Sequence, residues 1–155
     1  MKEYLSKLCK YNSWANERMI LSLRDQNIND EFILKLLSHI VLSEQIWMLR
    51  LKSGDYSGLN FWKTLRLAEC NRLWQENAKA FSDFIGSKNE TEFENLITYK
   101  NSKGNEFSNP IEDVLTHVFI HSSYHRAQIA REVRRVGKEP AYTDYIQFIR
   151  ETKKT

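Results

Sequence analysis

Residues 109–137 carry the clearest helical pattern in the chain and read NPIEDVLTHVFIHSSYHRAQIAREVRRVG. Asn109 offers a side-chain cap for a helix, and Pro110 suits the first helical position because proline has no N–H to leave unbonded there. Apolar side chains then recur every three or four residues as far as Gly137, a residue typical of a helix C-terminal stop. The stretch therefore predicts one long amphipathic helix.

Two further helical patterns open the chain. Residues 4–23 place large side chains at three- and four-residue spacing, which predicts a first helix with Tyr4 on its buried face. A polar segment follows, and Asn29 or Asp30 can cap a second helix. That helix is expected to end at residues 53–54, where serine is followed by glycine.

The middle and the end of the chain complete the pattern. A third helix is expected over residues 64–85, followed by a short β-hairpin within residues 96–108 that turns at Gly104. A short last helix, capped by residue 143 or 144, follows the long one. The lysines at 153–154 are expected to form a frayed tail.

Composition and connection lengths then predict the fold class. The 155 residues are 41% hydrophobic, enough for one sizeable core, so we expect one domain over residues 1–155. Four long amphipathic helices at this size bury their apolar faces in a four-helix bundle, an all-α fold. The connections around the third helix, of about 10 and at least about 20 residues, exceed those of a simple up-and-down bundle. We therefore expect crossover connectivity, with at least one parallel pair of neighbouring helices.

Several classes of protein are disfavoured by the sequence. Cys9 and Cys70 lie inside helical patterns without metal-ligand or paired spacing, which indicates buried free thiols. The net charge of +3 is spread along the chain, whereas nucleic-acid binding needs clustered basic residues. No apolar run approaches the roughly 18 residues of a membrane helix, and the first residues lack the order of a signal peptide. We expect a cytoplasmic protein with no nucleic-acid or membrane partner.

The histidines carry the strongest chemical signal. His121 and His125 stand four residues apart on the long helix, so their rings lie one above the other on one face. That spacing lets both rings reach one metal ion at bonds of about 2.0–2.1 Å. His39, on the second helix, can supply a third ligand from a facing helix of the bundle. Any one of them alone is more often a core histidine, but three buried rings without a metal leave nitrogens unpaired at about 1–3 kcal/mol each.

One further histidine and two glutamates are candidates for supporting this triad, and the sequence does not decide their roles. His117 lies one turn before His121 but towards the edge of the stripe, which makes a role as a fourth ligand geometrically harder. We expect it to act around the site or in an interhelical hydrogen bond, with ligation as the alternative. Glu44 and Glu132 are spaced to orient an imidazole, and either can equally be a solvated helix charge. The sequence identifies no catalytic residue and no cofactor beyond a metal ion.

The motifs together resemble a known family. The string HVFIHSSYHRAQI at 117–129 resembles the signature of the DinB-like (DinB/YfiT) metalloprotein superfamily. YNSWAN at 11–16 resembles its first-helix motif, Ser-His at 38–39 its second-helix motif, and residues 137–145 its closing segment. The similarity spans nearly the whole chain. One departure is Ala127, which stands where the family often has glycine.

This resemblance implies a four-helix bundle with an unusual connection order and one divalent metal ion per chain, commonly zinc or nickel. The metal-binding histidines of the family fall on His39, His121 and His125. It also implies frequent homodimers. Characterised relatives include bacterial transferases and isomerases that use low-molecular-weight thiols such as bacillithiol or mycothiol, and many members have no known reaction.

Two hypotheses of function follow. The first is a metal-dependent enzyme, a thiol S-transferase or a hydrolase, acting on a small-molecule substrate such as a low-molecular-weight thiol plus an electrophile, at an open three-histidine site. We expect its pocket to be lined by the first two helices and residues 56–62. The alternative is a non-catalytic bundle that a metal stabilises or that senses metal.

Overall fold

The computed structural model describes residues 1–152, which form a helical bundle with one hairpin. The tail at 153–154 lies outside the described residues. The helices are α1 (Lys2–Asp25), α2 (Glu31–Leu51), α3 (Leu67–Gly86), α4 (Ile111–Arg135) and α5 (Tyr145–Thr152), the 3-10 helix is Glu90–Glu94, and the strands are β1 (Leu96–Lys100) and β2 (Glu106–Pro110). The prediction of an all-α bundle with a hairpin between α3 and α4 is confirmed.

Three predicted chain reversals and caps are also confirmed. Strands β1 and β2 pair antiparallel, and Gly104 lies in their turn with φ 82°. The Asp30 side chain accepts hydrogen bonds from the backbone N–H groups of Phe32 and Ile33, so Asp30 rather than its neighbour caps α2. Gly137 follows α4 with φ 75°, a left-handed conformation that glycine adopts without strain.

The start of α4 differs from the prediction by one residue and for a clear reason. Asn109 belongs to β2, and its side chain accepts a hydrogen bond from the Tyr99 hydroxyl at 2.9 Å instead of capping the helix. Pro110 therefore occupies the cap position, and α4 begins at Ile111. The Ile111 N–H donates to the Asn95 carbonyl at 3.0 Å. Strand β2 thus leads directly into α4 and fixes where that helix begins.

Smaller predictions about the first three helices are wrong. Tyr4 is 55% exposed, because the buried face of α1 is centred on Leu5 and the residues in register with it. Helix α3 begins at Leu67, a few residues later than expected. At the end of α2 the left-handed residue is Ser53, with φ 54°, and not the glycine that follows.

The helices are arranged with the predicted crossover. Helices α1 and α2 each pack against both α3 and α4. Ser38 of α2 contacts Cys70 of α3, and further along both helices the Val41 carbonyl accepts from the Asn77 amide at 2.8 Å. Both contacts advance in the same direction along the two helices, so these neighbours are parallel. An up-and-down bundle would make them antiparallel.

Helix α2 also corrects the expectation about membrane helices. Among the described residues it alone is long and apolar enough, by length and composition, to cross a membrane. Yet 67% of its most apolar window is buried inside the bundle. This is the pattern of a central core helix, which packs against two neighbours and has apolar residues on most of its sides.

The core contains a buried carboxylate that contacts three other helices, α3 through the Asn77 amide at 3.5 Å. Glu44 of α2, 2% exposed, accepts hydrogen bonds from the amides of Asn12 and Asn16 of α1 at 2.7 and 2.9 Å. The hydroxyl of Ser122 of α4 donates to the same carboxylate oxygen at 2.9 Å. These donors stabilise an ionised carboxylate where water cannot.

A buried guanidinium completes this network. Arg126 of α4, 2% exposed, donates through Nη1 to the side-chain oxygens of Asn12 and Asn16, each at 2.7 Å. Each asparagine therefore donates to Glu44 and accepts from Arg126, so the two amides connect a negative and a positive charge. Burial lowers the pKa of Arg126, and Tyr11 and the nearby charge of Glu44 oppose that effect. We call these four residues with Ser122 the polar core.

We expect Glu44→Gln and Arg126→Met each to lower the free energy of unfolding by about 3 kcal/mol, because each leaves the opposite buried charge without its counterpart. The double variant should lose at least about 1 kcal/mol less than the sum, since both residues act through the same asparagines. Urea unfolding followed by circular dichroism measures all three losses.

The matched control is Glu76→Gln on α3, an exposed carboxylate 2.7 Å from Arg72. It should change stability by less than about 0.5 kcal/mol, because exposed ion pairs contribute little. Strict additivity of the two core substitutions would contradict a shared network.

Candidate metal centre

Three imidazoles converge between α2 and α4. The His39 Nε2 lies 3.3 Å from the His121 Nε2, and the His125 Nε2 lies 3.1 Å from the same atom. Their possible ligand atoms all lie within 4.8 Å of one another. His39 and His125 are buried and His121 is half-buried. The structure therefore brings together the three histidines that the sequence singles out.

The spacing of these nitrogens fits a metal ion. A tetrahedral ion with bonds of about 2.0–2.1 Å holds its ligand nitrogens about 3.3–3.4 Å apart. The observed separations of 3.3 and 3.1 Å are close to that value. Neutral imidazole nitrogens that face one another with their lone pairs repel, whereas a cation between them removes the repulsion. The triad thus has the geometry and the donor chemistry of a metal site.

Hydrogen bonds hold two of the rings in the tautomer that a metal needs. The His39 Nδ1 donates to the Phe61 carbonyl at 2.9 Å, and the His125 Nδ1 donates to the Gln128 side-chain oxygen at 2.8 Å. Because both acceptors are oxygens, the proton lies on Nδ1 and the lone pair remains on Nε2. Such outer hydrogen bonds also fix the orientation of each ring.

Burial favours the neutral form of two rings, those of His121 and His39. Burial, together with the neighbouring imidazoles of His125 and His39, lowers the pKa of His121 to about 3. Burial also lowers the pKa of His39, although the bond to the Phe61 carbonyl acts in the opposite direction. These rings can therefore bind a cation at neutral pH without first releasing a proton.

Aromatic side chains cover the centre on its outer side. The ring of Trp62 stacks on that of His39 with centroids 3.8 Å apart and planes 8° apart. Tyr124 approaches His125 edge-on at 5.2 Å. Phe61 and Trp62 belong to the predicted pocket segment, residues 56–62, and they do reach the site. Helix α1 was also expected there, but its asparagines contact Glu44 instead.

His117 lies beside the triad and outside it. Its ring is 5.6 Å from that of His121 and packs edge-on against Trp47 at 5.2 Å. Among the described residues it makes no side-chain hydrogen bond, so the interhelical bond expected from the sequence is not observed. Partial burial lowers the pKa of His117, and the positive charge of Arg50 lowers it further.

The two carboxylates proposed as orienting groups have other partners. Glu44 belongs to the polar core. The polar core is linked to the triad by the backbone of α4, because Ser122 and Arg126 directly follow His121 and His125 in the chain. Glu132 forms an ion pair with Arg135. The groups that do hold the imidazoles are a backbone carbonyl and an amide side chain.

The sequence analysis does not identify one site residue, Gln128, or the carbonyl contact of another, Phe61, although it assigns the segment of Phe61 to the pocket. Gln128 stands three residues after His125 on the same helix, a spacing that places their side chains together, so it was predictable. The Phe61 carbonyl was not predictable, because any residue carries a backbone carbonyl and only the path of the loop selects this one.

Comparisons with known proteins identify the family of the chain. The profile of the DinB family matches residues 1–155. The protein named Protein DinB from Bacillus subtilis (strain 168) is 26% identical over 175 aligned positions, which cover 99% of this chain and 98% of that protein. With a family match over the whole chain and three histidines gathered where a metal can bind, the protein belongs to the DinB family.

Proposed function

We propose that the chain binds one divalent metal ion through His39, His121 and His125 and uses it in catalysis. The observation that carries this proposal is the number of protein ligands, which is three. Among residues 1–152, no fourth histidine, cysteine or carboxylate joins the three imidazoles. Structural zinc sites in proteins are closed by four protein ligands, whereas catalytic sites have three and leave a position for water or substrate.

The protein side chains prepare this site in distinct ways. Phe61 and Gln128 hold the rings of His39 and His125 with Nε2 directed to the common point. Trp62 covers one face of His39 and excludes water from it. When bound, a divalent ion with three neutral ligands keeps its full charge of +2 and acts as a Lewis acid, which lowers the pKa of a thiol or water that coordinates it.

The reaction we propose is thiol S-transfer, with hydrolysis as the other chemistry such a site supports. In S-transfer a low-molecular-weight thiol loses its proton, its sulfur forms a bond to an electrophilic carbon, and the leaving group departs with the former bonding pair. The choice of a thiol is supported by the resemblance to thiol-dependent members of the superfamily. Zinc and nickel are the metals we propose, because imidazole nitrogen suits both.

We expect protein purified without a histidine tag or chelator to contain close to one zinc or nickel ion per chain. His121→Ala should lose nearly all of it, because two imidazoles hold a divalent ion far more weakly than three. Elemental analysis by mass spectrometry, with the protein concentration measured independently, gives the stoichiometry.

His117→Ala is the matched control, since it removes an imidazole from the same helix one turn away and outside the triad. It should retain the metal. Equal metal content in the parent and in His121→Ala would refute the assignment of the site.

We expect the metal-loaded protein to accelerate consumption of a small thiol, such as cysteine, by a halogenated aromatic electrophile. Chelation should reduce the enzymatic rate by more than about 10-fold, since even the loss of a group that only supports a metal ligand costs about 10- to 100-fold, and added zinc or nickel should restore the rate. His125→Ala should be inactive while its circular dichroism spectrum still shows a folded bundle.

The non-catalytic alternative gives a different result. A bundle that a metal only stabilises, or that only senses metal, shows a large metal-dependent rise in melting temperature and no turnover across a panel of thiols, electrophiles and esters. Turnover that chelation leaves unchanged would exclude the metal-dependent reaction.

We also propose that the protein forms a homodimer in the cytoplasm. Ile120 and Tyr124, one turn apart on α4, are exposed apolar side chains on the outside of the bundle. Cys9 and Cys70 are free, which suits a reducing compartment.

Light scattering coupled to size exclusion should give twice the chain mass of 18.4 kDa for the parent. Ile120→Glu should shift the mass towards the monomer, and a parent of single-chain mass would contradict the dimer.

A further inference from the structure

Near the end of α2 lies a buried cation without a counter-ion. Arg50 is only 6% exposed. Of the five N–H donors of its guanidinium, the described residues satisfy one, through a hydrogen bond from Nη2 to the Lys100 carbonyl at 3.0 Å. Its Nε is buried without a partner. No carboxylate of residues 1–152 lies within ion-pair distance of it.

Aromatic rings surround the guanidinium in place of a carboxylate. Its central carbon lies 4.4 Å from the ring centre of Trp47, 5.0 Å from those of Tyr56 and Tyr99, and 5.7 Å from that of Phe61. Ring faces attract a cation, and they leave its N–H groups without acceptors. The rings stabilise the charge but supply no acceptor, so the guanidinium lacks a hydrogen-bonding counter-anion among the described residues.

Arg50 borders a cavity that a small molecule can enter. The cavity has a volume of about 580 Å³, within the range of small-molecule sites, and lies between the α2–α3 loop and the tip of the hairpin. Tyr56 and Phe61 line it together with Arg50, and exposed Lys100 adds a second positive charge. Trp62, which stacks on His39, also lines it. The cavity therefore shares a wall with the candidate metal centre.

We propose that this cavity binds the carboxylate of a small organic substrate, with Arg50 as the residue that recognises it. The substrate class rests on the proposed function, since the cavity shares Trp62 with the metal centre. A carboxylate is planar and matches the two parallel N–H groups of a guanidinium. The aromatic walls suit the apolar part of such a molecule.

The test uses metal-free protein, so that a carboxylate cannot bind to a metal instead. Benzoate and its uncharged isostere benzamide are titrated against the protein by calorimetry, with the same titrations on His121→Ala. We expect benzoate to bind at least about 10-fold more tightly than benzamide, because only benzoate supplies the missing charge. His121→Ala should bind benzoate as the parent does, so a failure of metal binding and a failure of this cavity give separate results.

Arg50→Met is the decisive variant. It should weaken benzoate binding about 10- to 100-fold, as expected when a charged hydrogen-bonding partner is removed, and leave benzamide binding unchanged. Its melting temperature should equal or exceed that of the parent, because methionine fills similar space without an unpaired charge. A purely structural role of Arg50 would instead lower the melting temperature and leave the preference for benzoate intact.

Arg72→Met is the matched control. Arg72 is an exposed arginine of α3 outside this cavity, and its loss changes the net charge of the protein by the same amount. It should not affect benzoate binding. Equal binding of benzoate and benzamide by the parent, equal weakening by both arginine substitutions, or tighter binding of inorganic phosphate than of benzoate would overturn the proposal.

Discussion

Two asparagine amides between a buried carboxylate and a buried guanidinium set the relative positions of three helices. Asn12 and Asn16 of α1 donate to Glu44 of α2 and accept from Arg126 of α4. Each amide has only one orientation that satisfies both partners, since the reverse orientation would place donor against donor and acceptor against acceptor. A slide of any of these helices by one turn would leave buried charges unsatisfied, whereas apolar contacts alone would tolerate it better.

This constraint explains how the metal centre keeps its geometry without sharing a ligand with the core. Ser122 and Arg126, which the polar core holds, directly follow His121 and His125 in the chain. Consecutive residues of a helix have a fixed relative geometry. The contacts that hold Ser122 and Arg126 therefore also fix the position of His121 and His125 along and around the axis of α4. His39 lies five residues before Glu44 on α2 and is fixed in the same way. The nitrogen separations near 3 Å therefore depend on interactions one layer deeper in the bundle.

Hydrophobic periodicity and histidine spacing predict those features of the structure that arise from the sequence of each helix taken separately. The bundle, the caps at Asp30 and Gly137 and the facing of His121 and His125 all follow from local pattern. The remaining features depend on contacts between elements. Nothing local shows that Asn109 bonds to Tyr99 across the hairpin, or that Arg126 is buried among asparagines of another helix. The one feature of the sequence that indicates burial of Arg126 is its position four residues after Ser122, on the same face of α4.

The geometry of α2 places both candidate binding groups on one face. His39 and Arg50 are 11 residues apart, about three turns, so they point in nearly the same direction at about 16 Å along the axis. That separation alone would make two independent sites. The α2–α3 loop changes this, because the Phe61 carbonyl bonds to His39 while the Phe61 ring lies 5.7 Å from the Arg50 guanidinium. One loop residue thus contacts both groups, His39 through its backbone carbonyl and Arg50 through its ring. Because a substitution at Phe61 removes the ring and keeps the carbonyl, it is the path of the loop, and not the Phe61 side chain, that couples the two positions.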